Sequence, residues 1–339
     1  MRCLTLANEL KNRGNKCAFI CREHIGHLND FIRSNGHAVF SLPLGEAFVA
    51  LQSNIEHSSW LGATQEQDAV STSIALSSFQ PDWIIVDHYA LDICWERKLH
   101  KLCSKILVID DLADRQHECE ILLDQTFARD AKEYNRLVPD TCVKLCGSMY
   151  ALLRPEFSIS RIRLIEERKK RGIKKLLINF GGVDKDNYTG KVLEKLNECD
   201  LPKELHITIV MGATAPWLDS VKQLSLGLTW QADVKVGVSN MHELMAESDL
   251  AIGAAGATSW ERCCLGLPTI MMEIALNQNL IASNLDAYGA AVLTGLDDLS
   301  EVVEDLLVNN GERLVSLSYK ASQVTDGKGV QRVVERLYD

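Results

Sequence analysis

No stretch of the 339 residues approaches the roughly 20 consecutive apolar positions that a membrane-spanning helix needs. Residues 1–15 (MRCLTLANELKNRGN) lack the apolar segment and small-residue cleavage site of a secretory leader. Basic residues are too few for a polyanion: 36 Lys and Arg face 46 Asp and Glu, a net charge of −10. That balance argues against a general nucleic-acid or anionic-membrane surface. It leaves room for an anionic small molecule, because helix starts bind phosphate through backbone N–H groups without net positive charge. The eleven cysteines are odd in number and contain no C-x-x-C. The pairs at 17/21 and 142/146 and the adjacent 263/264 lack zinc-knuckle spacing. Free, mostly buried thiols in a reducing compartment are expected. No other group of residues has metal-ligand spacing, so neither a metal nor another cofactor is expected. Repeats and low-complexity tracts are missing as well. The expectation is a soluble, cytoplasmic protein, taken as a monomer, whose partner is neither a membrane nor a nucleic acid.

What is present is ordinary globular material. Apolar residues make up 46% of the chain and charged residues 24%, close to the globular average. At roughly 150 residues per domain, the length points to two domains, each with a sizeable core. Short apolar runs alternate with helical patterns, the signature of βαβ units and parallel sheets. The first half predicts strands at 17–21 (CAFIC), 38–41, 83–87 (WIIVD) and 106–110 (ILVID), with a short edge strand at 122–124. Continuously apolar runs of this kind suit strands covered on both faces. Helical patterns fall at 2–12, 26–34, 65–78 and 91–102. The second half predicts strands at 175–180, 206–211, 234–236, 250–253, 269–272 and 291–293. Helices are expected at 188–197, 241–247, 258–265, 277–287 and 299–308, and through most of 312–339. The charged stretch 161–171 (RIRLIEERKKR) reads as a solvated helix and linker. The expected class is α/β, with two doubly wound Rossmann-like domains facing a cleft: 1–158, a linker at 159–172, and 173–339. Ligand-contacting residues in such domains lie just after the strands.

That rule selects the motifs. Asn179-Phe180-Gly181-Gly182-Val183-Asp184 follows a strand and precedes a helix. Paired glycines let a backbone approach a phosphate, and the helix beyond should offer unpaired N–H groups; a tight turn without a ligand is the plain alternative. Gly253-Ala254-Ala255-Gly256-Ala257-Thr258-Ser259-Trp260-Glu261 is almost free of side chains until Thr258 or Ser259 caps the next helix. Glu261 falls in that helix's first turn, placed either to hydrogen-bond a ribose diol or only to complement the helix dipole. Asn277 and Gln278 open a further helix, as sugar-reading amides or as a cap and a surface residue. Asp87, His88 and Tyr89 end an apolar strand, where they can orient a sugar or move a proton, or simply finish the strand. Asp110-Asp111 ends the next strand, one of the two capping a turn. His24 and His27 are read as solvated loop histidines.

VDHY (86–89), IDDLADR (109–115), YALLRPEF (150–157), FGGVD (180–184), GATSWERCCLGLP (256–268) and NQ (277–278) occur here in the order of one known family. Through them the chain resembles the UDP-2,4-diacetamido-2,4,6-trideoxy-β-L-altropyranose hydrolases of pseudaminic acid biosynthesis, over essentially its whole length. More loosely, the second half is similar to the peptidoglycan enzyme that transfers N-acetylglucosamine onto a lipid carrier. Both have the two-domain glycosyltransferase-B architecture. The resemblance implies a sugar-side first domain, a UDP-binding second domain, and a UDP-sugar as substrate. Water would attack the anomeric carbon with inversion, and UDP would leave without help from a metal. It implies that Glu261 holds the ribose and that Gly181, Gly182, Gly256, Ala257 and Thr258 line the phosphates. Arg2, Asp87, His88, Asn277 and Gln278 would bind substrate, and Tyr89 would be the catalytic residue facing the sugar.

The chain departs from the family at its start. The family opens with a strand and a loop G-x-G-H-x-x-R, whose histidine is the proposed general base. Here Arg2 fits the final Arg and Met1 the residue before it, so the strand, both glycines and the histidine do not appear. The expectation is a longer native protein. The alternatives are a truncated relative that binds UDP-sugar without turnover, and a glycosyltransferase of the same fold with a true acceptor.

Overall fold

The computed structural model describes residues 1–44, 57–77, 79–170, 172–308 and 311–339. By contact density the chain divides into Met1–Leu152 together with Val330–Asp339, and Leu153–Gly329. Among the described residues no helix is long and apolar enough to cross a membrane.

In the first unit the elements run α1 (Arg2–Asn12), β1 (Ala18–Arg22), α2 (Asn29–Ser34), β2 (Ala38–Leu42), α3 (Gln65–Leu76), β3 (Trp83–Val86), α4 (Ile93–Leu99), β4 (Lys105–Ile109), β5 (Ile121–Asp124) and β6 (Val143–Cys146). The strands β3-β4-β5-β6 form a parallel sheet in that order. Its residues alternate between two cores, which explains the unbroken apolar runs. Ile106, Val108 and Leu122 pack with Trp95 and Leu99 of α4, whereas Leu107, Ile109, Ile121 and Leu123 pack with Leu6 of α1. A sheet covered on both faces needs apolar side chains at every position. The strands β1 and β2 pair only with each other. They were expected to be covered on both faces, but β1 is only half-buried. One ladder edge of β1 and one of β3 have no strand partner among the described residues.

The second unit contains α5 (Pro155–Arg168), β7 (Lys175–Asn179), α6 (Tyr188–Leu196), β8 (His206–Met211), α7 (Leu218–Leu226), β9 (Gln231–Val236), α8 (Met241–Glu247), β10 (Leu250–Ala254), α9 (Thr258–Cys264), β11 (Thr269–Met272), α10 (Asn279–Tyr288), β12 (Val292–Leu293), α11 (Leu299–Val308) and α12 (Gly311–Val324). Its six strands are parallel, in the order β12-β11-β10-β7-β8-β9. The winding direction therefore reverses between β7 and β10, the position at which doubly wound sheets open a crevice. A core of Leu176, Ile178, Ile207, Ile209, Leu250, Ile252 and Ile270 runs under the helices. The last helix, α13 (Gly329–Tyr338), belongs with the first unit. Val330, Val333, Val334 and Leu337 join the Leu6 core, and the Trp83 indole N–H donates to the Leu337 carbonyl at 3.1 Å.

Several expectations are corrected. The 122–124 strand is an inner one, because β6, absent from the sequence reading, covers its far edge. The expected linker at 159–172 begins inside α5, which runs to Arg168, and contact density parts the units at Leu152/Leu153 instead. Arg168 is buried, its Nε donating to Leu265 O at 3.2 Å and its Nη2 to Met245 O at 2.7 Å, which satisfies carbonyls at the ends of α8 and α9. Helix fills most of 312–339, as expected, with an interruption at Thr325–Lys328. There Gly327 adopts φ +76°, and a Cβ on it would come 2.7 Å from Cys264 Sγ. All eleven cysteines are free, as expected, but only five of them are buried; among these, Cys119 and Cys142 have Sγ atoms 3.7 Å apart. Ser78 and Arg171, which end two of the expected segments, lie outside the described residues.

Candidate functional site

In the second unit, parallel pairing puts the C-terminal ends of β7, β10 and β11 along one sheet edge, with Gly253 opposite Asn179 and Ala254 opposite Met272. Three of the expected segments therefore meet there. Gly181 is exposed with φ +90°, and added Cβ atoms on Gly181 or Gly182 would meet nothing within 4 Å. Gly212, unnoticed in the sequence, closes this turn from beside it. Its N–H donates to Gly182 O at 3.1 Å, and a Cβ would fall 2.1 Å from that oxygen. At the next turn, a Cβ on Gly256 would come 3.9 Å from Gln278 Nε2. Gln278 is oriented by accepting the Ile274 N–H at 3.1 Å. Asn277 is exposed, and α10 begins only at Asn279 after a 3-10 turn over Leu276–Gln278.

The helix starts differ from expectation. The N–H groups of α6 are not free for a phosphate, because Asp184 accepts from Tyr188 and Thr189 at 2.8 Å each and Asn187 from Gly190 at 3.1 Å. Neither Thr258 nor Ser259 caps α9. Its N-cap is Ala257, without a side-chain bond, and the Ser259 hydroxyl accepts from Arg262 instead.

Two arginines complete this edge, and neither stood out in the sequence. Arg154, just before Pro155, donates through Nη1 to Ser239 O at 3.0 Å and is the stronger cationic influence on Glu261. Glu261 is half-buried, and its carboxylate accepts no hydrogen bond among the described residues. Burial pushes its pKa up to about 7, against the opposing pull of Arg154 and Arg262. Arg262 is 2% exposed, with Nη2 2.6 Å from Ala254 O and 3.1 Å from Ser259 Oγ. A Cβ on Gly253 would lie 2.4 Å from both Arg262 Nη1 and Asn179 O, so glycine is required where the guanidinium passes the strand.

In the first unit, Asp87, His88 and Tyr89 follow β3, and Arg2 opens α1 beside them. Arg2 grips Asp87 with Nη2–Oδ1 at 2.6 Å and Nε–Oδ2 at 3.1 Å, and approaches Asp111 at 3.4 Å. Burial would raise the Asp87 pKa, but Arg2 outweighs it and holds the carboxylate below its usual range. The Asp111 pKa moves up by burial, although Arg2 and the Tyr89 hydroxyl oppose the shift. The Tyr89 ring stands 5.4 Å from the His57 ring and 6.0 Å from that of Trp60, which is half exposed. His88 Nδ1 accepts the Ala90 N–H at 3.0 Å, which puts its proton on Nε2, and burial lowers its pKa. His88 thus fixes the loop rather than offering a free base there. Asp110 caps a turn as expected, accepting the Ala113 N–H at 2.9 Å. His24 lies over Gly62, where an added Cβ would meet its ring at 2.7 Å, and His27 is exposed.

No family model matches the chain. It is 31% identical over 180 residues, 51% of this chain and 60% of the other, to the UDP-2,4-diacetamido-2,4,6-trideoxy-beta-L-altropyranose hydrolase of Campylobacter jejuni. It is 27% identical over 200 residues, 57% of each chain, to the spore coat polysaccharide biosynthesis protein SpsG of Bacillus subtilis. The matches span between 41% and 60% of the curated relatives' own lengths, about half. The crystal structure of MurG from Acinetobacter baumannii superposes with a TM-score of 0.65 at 16% identity, covering 99% of this chain and 95% of that one. UDP-GlcNAc 2-epimerase from Neisseria meningitidis, bound to UDP-GlcNAc, gives 0.62 at 13% identity, covering 99% and 96%. The fold is that of the glycosyltransferase-B proteins, with two Rossmann-like α/β units in one chain.

Proposed function

We propose that this protein is a UDP-sugar hydrolase, acting on UDP-2,4-diacetamido-2,4,6-trideoxy-β-L-altropyranose as in pseudaminic acid biosynthesis. One observation carries the reading. The β7, β10 and β11 ends align Gly181–Gly182, the Gly256 turn and Gln278 at the reversal point of the second unit's sheet. A half-buried carboxylate without a partner, Glu261, follows in the same turn region. This arrangement suits a nucleotide diphosphate on bare backbone with a ribose diol on Glu261. The similarity to the curated hydrolase supports the sugar and the reaction. In that reaction water bonds to the anomeric carbon and releases a proton, the bond to the diphosphate oxygen breaks with inversion, and UDP departs. The part of this chain is to hold both products' precursors in place. Gly181, Gly182, Gly256, Ala257 and Thr258 hold the phosphates, while Asn277 and Gln278 face the sugar.

The test is UDP release from the purified sugar nucleotide, together with UDP binding by calorimetry. Glu261→Ala should weaken UDP about tenfold or more, since a hydrogen bond to a charged group contributes about 1.5–3 kcal/mol. Unchanged UDP affinity in a folded variant rejects the ribose assignment. UDP release that requires an added sugar or lipid acceptor replaces hydrolysis with glycosyl transfer.

A further inference from the structure

Arg262 has no role in the reading given above, yet it is the largest of the fully buried side chains. Its Nη2 holds Ala254 O and Ser259 Oγ, so it ties the two ends of the Ala254–Ser259 turn together. Its Nε is buried with no acceptor, and among the described residues no carboxylate forms an ion pair with it. The guanidinium lies where the sheet reverses direction, against Gly253 of β10 and the Asn179 carbonyl of β7. Burying a cation without a partner anion is unfavourable, and apolar residues at such places are often as stable or more so. Burial does lower the Arg262 pKa, to about 10, but leaves the group charged at neutral pH. A charge kept at that cost, with only the Coulombic pull of the half-buried Glu261 beside it and beneath a turn whose outer surface is alanine and glycine, suits an anion on the other side.

We propose that Arg262 is the fixed counter-charge for the phosphate groups of the bound nucleotide. It acts from beneath the β10–α9 turn as a positioning residue and does not touch the ligand. The inference rests on the nucleotide reading for the identity of its anion. It also accounts for Gly253, whose missing side chain is the space the guanidinium fills.

The experiment compares wild type with Arg262→Met and Arg262→Lys, using calorimetry against UDP, uridine and inorganic pyrophosphate, and thermal melts without ligand. The methionine variant should bind UDP and pyrophosphate about tenfold or more weakly while uridine stays within about twofold. Its ligand-free melting temperature serves as the control for folding, because methionine removes the donor to Ala254 O and Ser259 Oγ as well as the charge. The lysine variant should keep most of the preference for UDP over uridine. A merely structural arginine would weaken uridine and UDP alike or neither, and either result overturns the proposal. If the methionine variant does not fold, Arg262→Gln, which retains a donor for Ala254 O, is judged by the same ratio. Wild type that binds pyrophosphate but not UDP rejects the nucleotide reading and keeps the counter-charge; wild type that binds neither rejects both.

Discussion

Replacing Glu261 with glutamine should make the second unit more stable at neutral and alkaline pH, and only there. The folded-state pKa is raised from 4.5 to about 7 by burial. Below pH 4.5 the carboxyl is protonated folded and unfolded, and its burial carries no charge cost. Between 4.5 and 7 the unfolded chain loses the proton while the folded one retains it, so stability falls as pH rises. Above 7 the full cost of a buried carboxylate is present. At about 1.4 kcal/mol per pKa unit, the shift corresponds to about 3 kcal/mol. Glu261 is only half-buried, and solvent screening reduces this to about 2 kcal/mol. For a domain of this size, 1 kcal/mol moves the melting temperature by about 2–4 °C. Glu261→Gln should therefore melt about 4–8 °C above wild type at pH 8 and level with it at pH 4.5. Differential scanning calorimetry across that range gives the measurement, following the transition of Leu153–Gly329. Two parallel melting curves would show that the carboxylate is solvated and that the reasoning is wrong. The same titration makes a binding statement. UDP should bind more weakly as pH falls below 7, because the ribose hydroxyls require the ionised acceptor.

Glu96→Ala should destabilise the first unit by about 3 kcal/mol, with urea denaturation as the measurement. Glu96 and His117 are both fully buried, 2.6 Å apart, and the other Glu96 oxygen accepts the Glu118 N–H at 2.6 Å, so alanine strands two donors; an unchanged midpoint refutes this. UDP release should persist in EDTA, because in the proposed reading backbone N–H groups stabilise the leaving diphosphate. Loss of activity restored by Mg²⁺ would contradict that.

Much of the second unit could be read from sequence because its elements are locally consistent. The runs at 206–211 and 269–272 and the amphipathic helices at 241–247 and 299–308 appear at their expected bounds. In each, local pattern and tertiary burial agree. The strand β6 was missed because VKLC mixes a charge with an exposed Val143, and only Leu145 is fully buried. Asp184 was read as part of a ligand turn, although its real partners stand four and five residues ahead on α6. The Asn187-to-Gly190 spacing was the available signal for that cap. Arg262 was not readable at all from its helix, where an arginine beside a glutamate suggests a solvated face. The only trace was a glycine inside a strand, which marks close approach by something not named in the sequence. Of the first unit's site, the grouping of Arg2 with Asp87 follows from tertiary contact alone, 85 positions apart.

The return of α13 to the first unit sets an order on synthesis. Val330, Val333, Val334 and Leu337 complete a core that also contains Leu6 and Leu152. A ribosome making the chain therefore releases the second unit's full sequence before the first unit's last core residues exist. The usual amino-terminal-first order of domain folding is denied to this molecule. Its first unit must wait, partly assembled, with the face of β3, β4 and β5 that α13 covers still open to water. A chaperone that protects nascent chains should engage that face, and cutting the gene at codon 329 should yield an insoluble product even though nothing in the second unit has been removed.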